Sequence, residues 1–434
     1  MNFSPSGILK KRTRRWFLWV PLILFILYSC QARGEEAPRF PVTGSAHGGY
    51  WTGSRSLDDR EDLKTASLWI KTAPAIGSLA KAHFEGWMIN SDLFQGNESM
   101  SMLREGYVDL AAGPIDFRIG KQIIVWGRAD QVNPTDHLSA RDYTLLFPDE
   151  NDQRSGSIGL KGSTNIGAYY VQGYWIPFFK PNHLPLPHSS APSTFREQEP
   201  DNAMGQWGVK VESTGRNWDG SISYYDGFDL DPDLSLDAFS VVSAQPMQLN
   251  ILQSHHRIQT FGIDGAAAVE RFGLRGEAAY TLTENSDSSN PFIKSPFLFF
   301  VLGGERTFLD YLNINLQFIF RDVLNYQDPG GIADPLARSV AAEEALFNNQ
   351  LDRISEGASI RVSNKWFNET LEAEIADIGT WTRHDSLIRP KVTYAITDQW
   401  KIIVAADLYR GPDDSFFGNL SKNTASYTEI SYHF

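Results

Sequence analysis

The sequence predicts an all-β fold: a transmembrane antiparallel up-and-down β-barrel of about 18 strands, with 16 as the alternative count. Three observations predict it. The chain breaks into strand-length pieces of alternating hydrophobicity, its connections are alternately short and long, and its last residues alternate onto a terminal aromatic. Aromatics make up 13% of the chain, too many for disorder. After the N-terminal segment no apolar run reaches about 18 residues, which disfavours a helical membrane protein. A negative mean hydropathy of −0.30 then fits strands that are apolar on one face only.

The N-terminus carries a basic cluster from Lys10 to Arg15, an apolar run from Trp16 to Tyr28, and Ala32-Arg33-Gly34 before Glu35. This order reads as a secretory signal peptide over residues 1–34, with the barrel over 35–434. Leu27-Tyr28-Ser29-Cys30 loosely matches a lipoprotein box, with Tyr28 a poor fit to it. Thr13 to Leu18 matches a twin-arginine signal, but that route carries folded cargo, so the arginines are read as ordinary basic residues. Cleavage after Gly34 removes the one cysteine, so no disulfide or thiolate metal site is expected. It also removes six basic residues, deepening the net charge from −13 to −19. That acidity argues against nucleic acid as a partner.

From Val42 onward, short connections are expected at residues 73–77, 111–115, 162–167, 213–218, 271–274, 309–312, 363–368 and 396–399, rich in Gly, Pro, Asn and Asp. Long ones are expected at 52–62, 90–102, 128–153, 177–202, 228–254, 284–295, 322–352, 379–386 and 411–421. Strict alternation of the two sets gives short periplasmic turns, long external loops and both chain ends on the periplasmic side. The cleanest strand is 312–321, where Leu312, Ile314, Leu316, Phe318 and Phe320 alternate with Asn313, Asn315, Gln317, Ile319 and Arg321. Similar alternation recurs at 358–363 and 370–375, which puts Arg361 and Glu374 on an inward, wet face. Tyr50-Trp51, Trp87, Trp126, Trp175, Trp207, Trp218, Trp366, Trp381 and Trp400 sit near strand ends, where interfacial girdles would place them. Within one long loop, Asp334-Pro335 supplies an N-cap and a first-turn proline for a helix through Phe347, with Leu336, Val340 and Phe347 on one face.

The last strand reads S-Y-T-E-I-S-Y-H-F, with Thr428, Ile430, Tyr432 and Phe434 on one face. A terminal Phe434 behind alternating Ile430 and Tyr432 resembles the closing strand and assembly signal of bacterial outer-membrane β-barrels. The densest polar stretch follows the strand ending near Trp126, with G-K-Q-I-I-V-W-G at 120–127 and N-P-T-D at 133–136. These two motifs are similar to those of porin-like outer-membrane proteins of proteobacteria, and more distantly to alginate-export channels. The resemblance implies a Gram-negative outer-membrane barrel acting on no settled substrate. It also implies outer-membrane lipid, lipopolysaccharide and the barrel assembly machinery as partners.

Bottom-up, this stretch holds Arg128, Asp130, Asp136, Arg141, Asp142 and Arg154, both signs within one loop. Folded inward, they would narrow a pore and set a transverse field; alternatively they pair and pin the loop to the wall. Asn133 to Asp136 is expected to turn, with Asp136 free to cap near Ser139. Arg118 is expected to face the lumen as a cation, or else to pair with a neighbouring strand, and Arg361 to line the pore. Asp149-Glu150, Asp231-Pro232-Asp233 and Asp413-Asp414 are acidic loop clusters, read as solvated turns or as sites for cations that bridge lipopolysaccharide. The adjacent pair His255-His256 points to opposite faces of a strand and cannot share a metal. No nucleophile, metalloprotease or nucleotide-binding motif stands in a supporting context. The expectation is therefore a passive channel for small polar or charged solutes, with no enzymatic activity, cofactor or metal. Alternatives are an export conduit for polysaccharide or lipid with a periplasmic partner, and a non-conducting barrel with binding loops.

Overall fold

The computed structural model describes residues 41–54, 62–76, 80–90, 99–184, 193–200, 205–240 and 248–434. The proposed signal peptide and Cys30 lie outside them. Among the described residues eighteen barrel strands, together with the two-residue strand Ala75–Ile76 beside the third, form one closed sheet. In order they are Val42–Gly53, Asp62–Thr72, Ala80–Asn90, Ser99–Ala112, Ile115–Gln122, Ser157–Ile166, Tyr169–Ile176, Gln206–Thr214 and Trp218–Phe228. Arg257–Val269, Phe272–Thr283, Phe297–Phe308, Leu312–Val323, Ile354–Trp366, Leu371–Thr380, Asp385–Ala395, Trp400–Arg410 and Ala425–His433 complete the ring. Each pairs antiparallel with its neighbours, and the last pairs with the first from Ser45↔His433 to Gly53↔Ala425. Phe434 finishes the seam, its N–H donating to Gly44 O at 2.9 Å and its carbonyl accepting from Gly44 N at 3.0 Å. A Cβ on Gly44 would lie 2.7 Å from the Phe434 ring, so the glycine admits the terminal aromatic.

The polarity is that of a soluble protein turned inside out. Along the last strand Glu429 and Ser431 are buried while Ile430 is 41% exposed. In Leu312–Val323, Asn315 and Gln317 are buried and Leu316 is 55% exposed. Leu302, Ile222, Ile263 and Val404 continue the exposed apolar band on other strands. Such a band is stable only in contact with lipid, where closure also leaves no unpaired strand edge. Outward aromatics ring the short-turn end at Tyr169, Trp218, Phe272, Trp366 and Trp400.

Three corrections concern connections and girdles. Residues 379–386, expected to be a long loop, contain a turn of only four residues between Thr380 and Asp385. Most of 162–167 is strand, because Gly162 tolerates the extended pairing with Gly173 and the turn falls after Ile166. Trp51, Trp87 and Trp126 are not girdle residues: they point inward and are 2–3% exposed. Alternation decides this, since Tyr50 beside Trp51 takes the outward face.

The long connections are themselves structured. Ser193–Gln198, Asp233–Ser240 and Gln248–Ser254 form a separate three-stranded sheet. The helix Pro335–Phe347 begins as expected, with Asp334 capping Ala337 N at 2.7 Å. Its buried residues are Val340, Ala341, Glu344, Ala345 and Leu346, whereas Leu336 and Phe347 are half-buried. The face is set by the neighbouring strand, since Leu234 N donates to the Glu344 carboxylate. Asp231 and Asp233 are not free solvated carboxylates. Asp231 accepts from Asn182 Nδ2 at 2.7 Å, and Asp233 accepts from Lys294 N at 3.1 Å and pairs with His256 at 2.6 Å. His255 bonds instead to Asp229 O at 2.8 Å, so the two histidines do diverge.

Candidate functional site: a loop across the lumen

Residues 123–156 leave the strand Ile115–Gln122 and turn into the barrel. Their contacts fall on strands all around the ring, and the charged ones fall near strand middles rather than at the rim. Glu277, midway along Phe272–Thr283 and 3% exposed, grips the backbone. One of its oxygens accepts from Arg128 N at 3.0 Å and Ala129 N at 3.2 Å. The other accepts from Thr135 N at 2.7 Å and Thr135 Oγ1 at 2.8 Å. A carboxylate fastened by backbone N–H groups makes charge-assisted bonds, about twice as strong as neutral ones.

The two motifs acquire a physical reason here. Gly127 has φ +89°, and a Cβ there would run into the Glu277 carboxylate, so only glycine lets the chain approach it. Trp126 packs into a buried cluster with Ile124, Leu138, Tyr174, Tyr225 and Ile258. The 133–136 turn closes through Asp136 N to Asn133 O at 3.2 Å and presents Thr135 to Glu277. On the other side of the ring, Phe147 stacks on Trp87 at 4.8 Å and Leu146 packs against Trp51, Leu63, Ala405 and Tyr427. The inward tryptophans are therefore footings for the loop. Each large apolar side chain so buried contributes about 1.5–3 kcal/mol.

Charges complete the attachment. Arg128 Nη1 lies 2.8 Å from Asp264, and Asp130 lies 2.7 Å from Arg361 Nη2. Glu150 pairs with Arg389, so the Asp149-Glu150 cluster is not a solvated external turn. Arg104 Nη1 reaches Asp152 at 3.4 Å and Glu85 at 2.8 Å. Within the loop Asp136 takes Arg154 and, at 3.7 Å, Arg141. This replaces the expected capping role of Asp136, because two guanidinium groups outcompete a neutral backbone donor. Both readings of the loop thus hold together: it folds inward, and its charges pair and pin it. Burial pushes the Asp130 carboxyl above the usual carboxylate range against the pull of Arg361. Burial likewise pushes Asp152 up to about 6.

The remaining sequence candidates divide. Arg361 is at the site, also 4.0 Å from Glu374. Arg118 is the structural pair: it sits directly opposite Asp109, with Nε 2.7 Å from its carboxylate and its guanidinium 3.9 Å over Tyr107. Asp142 sits at the outer edge, accepting from Thr144 N and paired with His183 at 3.1 Å. Sequence reasoning missed Glu277, Asp264, Glu85, Arg104 and Arg389. The available signal was a charged residue on the inward face of an alternating strand.

Along the wall around the loop, neighbouring strands carry opposite charges side by side. Arg275 pairs with Glu305 at 2.6 Å, Lys391 with Glu374 at 2.9 Å and Arg389 with Asp407 at 3.0 Å. Such pairing gives a polar, wettable surface with little field of a single sign.

No protein-family model and no curated protein matches the chain. Among solved structures, OmpT, an outer membrane protein of Vibrio cholerae, aligns over 93% of this chain and 99% of its own, at 10% identity and TM-score 0.43. A triple variant of the Rhodopseudomonas blastica porin aligns over 91% of this chain and 100% of its own, at 11% identity and TM-score 0.40. At these values the alignments carry no conclusion about function, which rests on this chain's own residues.

Proposed function

We propose that this chain is a porin-like channel of the Gram-negative outer membrane, reached after removal of a signal peptide, and that small polar or charged solutes cross it by passive diffusion. The observation that carries the reading is a lumen lined by charged and amide side chains and crossed near mid-height by one charged loop. Passage then runs between the loop and the wall. Solutes exchange hydration for fixed dipoles and paired charges there, and are sorted by size before sign. Transport of this kind needs no bond-making group, and the reading assigns none. Arg128, Asp130, Asp136, Arg141, Arg154 and Arg361 act as the constriction set, chiefly by holding the loop. Arg118 and Asp142 lie to either side of it.

The many footings of the loop favour a narrow pore with small current steps over a wide one. Planar-bilayer recording on the purified, refolded protein tests the proposal. Discrete conductance steps are expected, with reversal potentials in a salt gradient reporting ion preference. Absence of steps at every voltage would sink the channel reading in favour of a non-conducting barrel.

A further inference from the structure

The wall beside the root of the loop holds a cluster that the channel reading uses only through the bond of Glu85 to Arg104. His83 and Glu85 lie on Ala80–Asn90 and Glu105 lies on Ser99–Ala112. The ladder between these strands slips at Glu85/Gly86, where the partner strand steps from Glu105 to Leu103. The residue left over is Arg104, and the bulge brings Arg104 and Glu105 to the same carboxylate. His83 is 91% buried, its ring stacked on Tyr107 at 4.8 Å. Its Nε2 makes no hydrogen bond among the described residues.

That nitrogen faces two carboxylate oxygens, Glu85 Oε2 at 3.7 Å and Glu105 Oε2 at 3.6 Å. All three atoms lie within 4.8 Å of one another. These separations exceed the hydrogen-bond range, which ends near 3.2 Å. They match the spacing of ligands sharing one ion: bonds of about 2.1 Å at a tetrahedral angle hold ligand atoms roughly 3.4 Å apart. The outer oxygens are already fixed. Glu85 Oε1 accepts from Arg104 Nη1 at 2.8 Å, and Glu105 Oε1 accepts from Ile123 N at 2.8 Å. Oriented carboxylates with a free inner oxygen are what a metal site requires of its supporting groups. Lys71 Nζ, 3.7 Å from Glu85 Oε2, is the competing cation, and its 44% exposed side chain can withdraw into the lumen.

We propose that His83, Glu85 and Glu105 bind a divalent transition-metal ion through one imidazole nitrogen and two carboxylate oxygens. A mixed nitrogen and oxygen set without thiolate suits zinc, cobalt or nickel, and three protein ligands leave room for water or a passing solute. Because Glu105 also holds Ile123, the first residue of the loop, an ion there braces the loop's root.

The test uses the full chain purified in detergent, stripped with chelator and titrated with Co²⁺ by visible absorption. One ion per chain is expected, with affinity falling at least about tenfold in H83Q and in E105Q. No uptake by the wild type would overturn the proposal and leave the imidazole simply packed beside two carboxylates. Unchanged uptake in H83Q would overturn it equally. Should either variant fail to assemble, X-ray absorption on the zinc-loaded wild type decides. One imidazole nitrogen in the first shell supports the site, and an all-oxygen shell refutes it.

Discussion

Replacing Glu277 by Gln changes the loop's main anchor with almost no change of shape. The carboxylate accepts four bonds, two at each oxygen, from Arg128 N, Ala129 N, Thr135 N and Thr135 Oγ1. An amide can keep its oxygen on Arg128 N and Ala129 N and turn its NH₂ towards Thr135, whose hydroxyl can accept it but whose backbone N–H cannot. The Thr135 N–H bond is lost, at about 1.5–3 kcal/mol, and the bonds that remain lose their charge assistance, which together makes about 3–6 kcal/mol against the docked loop. Water reaching the freed donors when the loop lifts reduces this towards the lower end. A loss of about 3 kcal/mol raises the undocked population roughly 100-fold. In single-channel recordings E277Q should therefore spend far more time in a wider, noisier state than the wild type. An E277Q channel that assembles normally but matches the wild type in conductance and noise would refute the clamp.

Other perturbations probe the same architecture. G127A forces a Cβ towards Glu277 at a positive φ and should reproduce the E277Q recordings, the backbone strain alone costing about 1–2 kcal/mol. Asp152, ionised above about 6, should lose its charge as pH falls. Cation preference measured by reversal potential should then drop between pH 7.5 and 5, and D152N should weaken that pH dependence. The stability sign is opposite to that of an ordinary paired carboxylate: the folded state holds the extra proton, so stability falls as pH rises from the usual carboxylate range through about 6. Deleting Phe434 removes two seam hydrogen bonds and the ring against Gly44. The fraction of heat-modifiable barrel recovered in the outer membrane should fall, and normal assembly of the truncated chain would count against the seam.

Much of the architecture was legible because a lipid-facing barrel imposes period-two alternation on every strand. The seam at Phe434, the strand count and the Asp334 helix start all follow from local rules. Arg361 could be placed on a wet face for the same reason. The reach of the loop could not be placed. Nothing local in 123–156 indicates that Thr135 meets Glu277 or that Asp130 meets Arg361, since such contacts depend on which strands lie opposite across the lumen. The inward tryptophans went astray because an aromatic near a strand end fits a girdle and a loop footing equally well, and only the register tells them apart.

The sequence by itself determined that this chain closes an even-stranded barrel with its polar face inward, because alternation, turn chemistry and the terminal strand act over a few residues. Only the tertiary structure decided where the charged loop goes and that a bulge at Arg104 gathers His83, Glu85 and Glu105. Those arrangements join residues far apart in the chain, and they exist only once the ring has closed and fixed every strand's register.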